Sequence, residues 1–316
     1  MRIVFMGSAE LSCACLEALF RDCPGELAGI VCQPDRPKGR SLRVAACPVK
    51  EKVSGSGLPV LTPANVNAPE SVEAIRRLAP DLIVVVAYGQ ILRRELLALP
   101  PSGCINIHAS LLPAYRGAAP IQWAIARGET GTGVTAMYMA ARLDAGDIIL
   151  QRALPIGPED TGGTLHEAMM REGPAALRDC LALIRGGAAP RTPQDERLAT
   201  FAPKLGREDG RINWTCAATD IYNRIRAFNP WPGCFCEIEC EARPRPALKV
   251  WKCRVEAAMG GTPGAVLGAT EEGPLVAAGA GAGRLLEVQP EGRKVMSGGA
   301  FLRGHPLPDG ARMAVR

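Results

Sequence analysis

Short apolar runs alternate with helical periodicity through the first half of the chain. "RIVFM" (Arg2 to Met6) is apolar after its first residue and stops at Gly7 and Ser8. Leu11, Cys15, Leu16, Ala18 and Leu19 then recur at helical spacing. "ELAGIVC" (Glu26 to Cys32) reads as a second strand, and Leu82 to Val86 as another. Uninterrupted β-branched runs of this kind suit a parallel sheet covered on both faces. Cys104 to Ala109 continues the series, followed by a helix opening on Pro120. "GVTAMYM" and "DIILQRALPI" predict two more strands, and "TLHEAMMREGPAALRDCLALIRGG" a long amphipathic helix closing on Gly186 and Gly187. This alternation predicts an α/β fold, a Rossmann-like doubly wound parallel sheet, over residues 1–188.

The pattern changes at residues 189–206. Gly, Pro and charge occur there without periodicity, which reads as a linker. Residues 207–316 carry one helix, "TDIYNRIRAF", and then short strands separated by Gly and Pro. Regular short strands predict a small C-terminal β-barrel of the oligonucleotide-binding (OB-like) type.

One strand breaks its own pattern. In "CINIHASLLPAYRGAAPIQ", Asn106 and His108 replace apolar residues at alternate positions, so both face the same side. Taken alone, such a pair reads more readily as a hydrogen-bonded core pair. The constrained loop that follows, Ser110-Leu111-Leu112-Pro113, shifts the balance, because open α/β sheets bind ligands at the carboxyl ends of their strands. After "GVTAMYM", Asp144 and Asp147 flank Ala145-Gly146. Asp147 suits plain turn chemistry. The functional reading has Asp144 reach His108, where a carboxylate supports an imidazolium and holds one tautomer. The first turn, "FMGSAELS", is not a dinucleotide fingerprint, but its amides from Gly7 to Ala9 sit where a helix N-terminus can receive a polar or anionic group. His166 reads as packing, and His305 carries no assignment.

Composition adds limits. The 316 residues are 47% hydrophobic and 22% charged, those of an ordinary globular protein. No apolar run spans a bilayer and the start lacks a signal-peptide pattern, so the chain is expected to be cytoplasmic. The net charge of +5 permits a polyanionic partner without requiring one. Twelve cysteines without a CxxC pair read as reduced thiols, and no metal is expected. The most basic stretch is Gln33 to Lys50, with Arg36, Lys38, Arg40 and Arg43 after a strand's carboxyl end. A charge run is usually a solvated face; here it shares the presumed active face, where phosphate contact fits.

Together, "MRIVFMGS", "QPDRPKGR", "INIHASLLPAYRGAAPIQWAI", "LDAGDIIL", "FNPWPG" and "VQPEGRKVMSGGAFLRG" resemble the methionyl-tRNA formyltransferases over nearly the whole chain. The resemblance implies transfer of a formyl group from 10-formyltetrahydrofolate, a co-substrate, to the α-amine of initiator Met-tRNA. It implies the formyltransferase fold, with Asn106, His108 and Asp144 as catalytic residues and Ser110, Leu111, Leu112 and Pro113 in the folate site. The C-terminal domain would help hold tRNA, and the basic loop with Arg36, Lys38, Arg40 and Arg43 would meet its acceptor stem. A monomer is expected. The chain departs from the family at Arg142, where Gly usually precedes Leu-Asp. His108 remains open to two roles, a charge near the reacting oxygen or a proton carrier. The rivals are a formyltransferase acting on a purine precursor or sugar nucleotide, and an RNA-binding module on a degenerate scaffold.

Overall fold

The computed structural model describes residues 1–38, 43–239, 247–257, 260–308 and 310–314. They form two compact units. One comprises Met1–Pro120, Gly131–Pro155 and His166–Ala202; the other comprises Ile121–Thr130, Ile156–Leu165 and Pro203–Arg316. The segment expected as a linker is therefore divided, with its residues up to Ala202 belonging to the first unit.

Seven strands of the described residues build one sheet in the first unit: β1 (Ile3–Gly7), β2 (Leu27–Val31), β3 (Val60–Leu61), β4 (Leu82–Val86), β5 (Cys104–His108), β6 (Gly131–Tyr138) and β7 (Ile148–Pro155). Their order is β7-β6-β5-β4-β1-β2-β3. Strands β1 to β5 pair in parallel, as the buried β-branched runs predict. The far edge differs: β6 runs antiparallel to both β5 and β7. The nine residues between β6 and β7 are enough for a reversal but not for the helical crossover that a parallel pair needs.

The two faces of the sheet have separate cores. Val4, Met6, Ile83, Val85 and Cys104 pack with Val72, Ile75, Tyr88 and Leu96 on one face. On the other lie the helix Glu10–Asp22 and the long helix Gly162–Arg185. Gly173 of the long helix approaches so closely that an added Cβ would stand 3.0 Å from Leu11 and 3.9 Å from Ile107. Ile107 thus faces these helices. Asn106 and His108, one position out of phase with it, face the other way.

The second unit holds an antiparallel sheet of strands Cys234–Cys236, Leu248–Glu256, Ala282–Pro290, Gly273–Ala277 and Val266–Thr270, in that order, with Met296–Ser297 paired to Ala282–Pro290. The helix Ala218–Ala227 buries Ile221 and Ile225, and Leu248, Val250, Leu285 and Val288 are buried in the sheet. Among the described residues no helix is long and apolar enough to cross a membrane.

Candidate active site

Strand β5 places both of its polar residues by register. Asn106 lies opposite Met137 and His108 opposite Thr135 on β6. His108 is only 6% exposed, and its Nε2 lies 3.0 Å from the Tyr115 carbonyl oxygen. A carbonyl only accepts, so Nε2 carries the proton of this contact. The other ring nitrogen, Nδ1, stands 3.9 Å from Asp144 Oδ2. That distance is too long for a hydrogen bond but close for an ion pair once the ring is protonated. Asn106 is half-buried, and among the described residues no protein group hydrogen-bonds its side-chain amide. Asn106 and His108 thus share a face without a hydrogen bond to each other among the described residues.

Asp144 reaches this place through an unusual backbone. Its φ is +48°, a left-handed conformation that Asp tolerates better than most residues. Its Oδ2 accepts the Gly117 N–H at 2.8 Å. The turn can close this tightly because residue 146 is glycine; a Cβ there would overlap the Tyr138 carbonyl. Asp147 is 3.8 Å from Arg191 and lies outside this arrangement.

The loop after β5 is held from below. The buried Thr135 hydroxyl donates to Ser110 O at 2.6 Å and accepts from Leu112 N at 3.1 Å. Gln151 Nε2 donates to Leu112 O at 2.8 Å and to Thr135 Oγ1 at 3.0 Å. Ser110 is fully buried, with its hydroxyl donating to Ala114 O at 2.6 Å. Leu112 is buried as well, and the Leu112–Pro113 peptide is cis. Of the four expected folate-site residues, Ser110 and Leu112 point into the fold and set the loop's shape. Leu111 and Pro113 are the half-buried ones.

The first turn differs from expectation. The Ser8 and Ala9 N–H groups both donate to Ser12 Oγ at 3.1 Å, so the fold's own hydroxyl occupies the place proposed for a ligand. Ser12 in turn donates to Val86 O at 2.6 Å and ties the turn to β4.

The basic stretch forms an antiparallel hairpin of Arg36–Lys38 and Arg43–Ala45. Arg36 donates to Gln33 Oε1 at 2.8 Å, and Lys50 to Asp35 at 2.7 Å. Arg43 and Val44 are exposed. Arg40 lies outside the described residues.

The eleven described cysteines are free thiols. Burial pushes Cys15, Cys104, Cys180, Cys234, Cys236 and Cys253 up to about 12, which keeps them protonated and poor nucleophiles near neutrality. Among the described residues, no three His, Cys, Asp or Glu side chains come together as a metal-holding group.

Comparison with known proteins bears on what such a site does. Residues 1–181 match the formyl transferase family model, and residues 204–306 match that of the formyl transferase C-terminal domain. The chain is 44% identical to a methionyl-tRNA formyltransferase of Geobacter sulfurreducens, covering 99% of this chain and 96% of that one. It is 46% identical to the methionyl-tRNA formyltransferase of Moorella thermoacetica, covering 98% of each. The chain belongs to the methionyl-tRNA formyltransferase family. It is accordingly an enzyme, a transferase of formyl groups.

Solved structures of low identity share the family's fold. A sugar 3N-formyl transferase, WlaRD, crystallised with dTDP and 5-N-formyl-THF, superposes with a TM-score of 0.65 at 16% identity, over 93% of this chain and 99% of that one. HypX from Aquifex aeolicus in complex with tetrahydrofolic acid gives 0.58 at 19% identity, over 100% of this chain and 51% of that one.

Sequence reading missed the residues that hold the site. Tyr115 and Gly117 act through their backbones, and Thr135 and Gln151 through contacts distant in sequence. Thr135 left a trace, as a polar residue inside the apolar run Val134 to Met139.

Proposed function

We infer that Asn106, His108 and Asp144 form the catalytic group with which this formyltransferase moves the formyl group of 10-formyltetrahydrofolate onto the α-amine of initiator methionyl-tRNA. The observation that carries the reading is the Asn106 amide, without a protein hydrogen-bond partner among the described residues, on the same strand face as a histidine whose two nitrogens have different surroundings.

Folate is the donor class named with both structural neighbours, and the site suits a polar acyl donor. It offers an amide that no described protein group hydrogen-bonds, on the strand that leads into the loop with half-buried Leu111 and Pro113. The folate supplies a formyl group on a nitrogen leaving group. The remaining chemistry falls to this chain. The α-amine must attack in its neutral form, making a C–N bond to the formyl carbon and placing charge on the formyl oxygen. Asn106 donates an N–H to that oxygen; loss of one such donor costs roughly 10²- to 10³-fold in kcat. His108 Nδ1, the nitrogen not committed to Tyr115, takes the proton that the amine releases. The resulting imidazolium faces the Asp144 carboxylate while its other N–H stays on Tyr115 O. His108 then returns the proton to the nitrogen that leaves as the C–N bond to folate breaks. The two roles left open for His108 thus follow one another: it carries the proton, and while it holds the proton its charge stabilises the oxyanion.

The basic hairpin supports a polyanionic acceptor, with Arg36 and Arg43 as exposed cations among the described residues, and Lys38 and Arg40 as further contacts to the acceptor stem. The second unit serves the same partner. Activity is read from the mass of methionine released after incubation with formyl-folate and Met-tRNA. Asn106→Ala is expected to lose that product while tRNA binding persists. Unchanged turnover in Asn106→Ala and His108→Ala would overturn the assignment. A formyl adduct on an amino-sugar nucleotide, with none on Met-tRNA, would replace the acceptor.

A further inference from the structure

The segment that reads as a linker sends one side chain into the turn that carries Asp144. Gln194 Nε2 donates to Asp144 O at 2.9 Å and to Gly146 O at 2.8 Å. Its Oε1 accepts from Arg116 Nη2 at 2.7 Å and from Arg116 Nε at 3.1 Å. Carbonyls only accept and guanidinium N–H groups only donate, so both sides dictate the amide's orientation. Both of its N–H bonds and both of its oxygen lone pairs are used.

The group behind it is equally committed. Arg116 is 1% exposed, and its remaining contacts go to the Glu196 carboxylate at 3.1 Å. Arg142, the departure from the family pattern, donates to the same carboxylate at 2.7 Å. These two guanidinium groups, Arg116 foremost, hold the Glu196 carboxyl below its ordinary range. Arg116 also stands in sequence between Tyr115, whose carbonyl meets His108, and Gly117, whose N–H meets Asp144.

The turn needs such support. A non-glycine residue at positive φ persists where surrounding contacts over-determine it. Asp144 has one such contact through its side chain, to Gly117, and one through its carbonyl, to Gln194.

We propose that Gln194, anchored by the buried Arg116, is a positioning residue that fixes the Asp144–Gly146 turn so that the Asp144 carboxylate faces His108. This rests on the reading of His108 and Asp144 as catalytic. Gln194 acts through Asp144 and touches no substrate.

The test uses the full chain with Gln194→Ala and Gln194→Glu. The second variant keeps an acceptor for Arg116 and removes both donors to the turn, which separates loss of positioning from loss of the arginine's partner. Both are expected to lower kcat by roughly 10²-fold, the scale of a 1 Å misplacement, with KM for either substrate little changed. The ring ¹⁵N signals of His108 are expected to move in both. His166 and His305, the other two of the three histidines, serve as unmoved references. Wild-type kcat with unmoved His108 signals would overturn the proposal. So would a lower melting temperature with unmoved His108 signals in the folded fraction, which marks a purely structural role. If His108→Ala itself turned over normally, the catalytic reading would fail, while moved His108 signals in the Gln194 variants would still establish the positioning contact.

Discussion

His108 and Tyr115 are joined through the ring Nε2 and a main-chain carbonyl 3.0 Å apart, which leaves Nδ1 as the ring nitrogen turned toward Asp144, 3.9 Å from its carboxylate. The strand end therefore holds its histidine by one nitrogen and presents the other toward Asp144.

Replacing His108 with Gln keeps a side-chain N–H for the Tyr115 carbonyl and removes the proton carrier. His108→Gln is expected to fold and to lose about 10²- to 10⁴-fold in kcat, the range of a general acid–base group. Circular dichroism and single-turnover formylation check both halves. Activity near that of the wild type would remove His108 from the proton path.

Asp144→Asn retains an acceptor for the Gly117 N–H and a residue type that tolerates positive φ, but it loses the charge. A unit charge about 4 Å from an imidazolium is worth up to about 4 kcal/mol at an effective dielectric of 20. A drop in kcat of roughly 10²-fold uses part of that. The melting temperature should stay close to that of the wild type. Asp144→Ala should lower both, because Ala adds a cost of about 1 kcal/mol for the left-handed backbone.

Thr135→Val removes a buried hydroxyl that serves three groups. The Leu112 N–H, the Ser110 carbonyl and one Gln151 N–H lose a partner; Gln151 is exposed and can turn to water, while each of the two buried groups left unpaired costs about 1–3 kcal/mol. Urea unfolding should show a loss of that order. The loop from Ser110 to Pro113 should loosen with it, raising KM for formyl-folate more than KM for Met-tRNA. A stable variant with both KM values unchanged would show that Thr135 does not hold the loop.

Arg43 is exposed, so Arg43→Ala should leave stability within about 0.5 kcal/mol. Its expected effect is on tRNA binding, with weaker affinity at low salt and a salt slope smaller by about 1. Filter binding across a salt series measures both. An unchanged slope would remove Arg43 from phosphate contact.

In the second unit, Arg284 and Arg254 hold the Glu256 carboxyl at about 2, the larger share coming from the hydrogen bond to Arg284. A carboxyl depressed below its unfolded value, near 4, stabilises the fold fully above that value. Its contribution falls away as pH drops through the interval down to about 2. Wild type should therefore lose urea stability relative to Glu256→Gln between pH 5 and pH 2 on this scale. Parallel curves over that interval would show that the pair contributes nothing to pH dependence.

The order of strands and helices in the first unit was legible because each is a local pattern. Buried β-branched runs, a proline-opened helix and glycine stops are set by near neighbours along the chain. Asn106 and His108 were legible for the same reason, since polar residues at alternate positions of an apolar strand stand out. Asp144 was legible as a turn residue and, because its turn follows a strand of the same sheet, as a partner for His108. Two features were decided by tertiary structure alone, and a third by a local contact that the pattern hid. The reversal at β6 depends on which edge the chain meets after leaving β5. The first-turn amides were lost to Ser12, a contact within one helical turn that a glycine-poor segment does not announce. Gln194 looked like linker composition because a clamp needs no periodicity: one amide meeting two carbonyls and one guanidinium is defined by three segments far apart in sequence. Short-range patterning chose the elements of this protein and set polar residues at the end of a buried strand. Long-range hydrogen bonds, which only the folded chain can close, decided where those residues point.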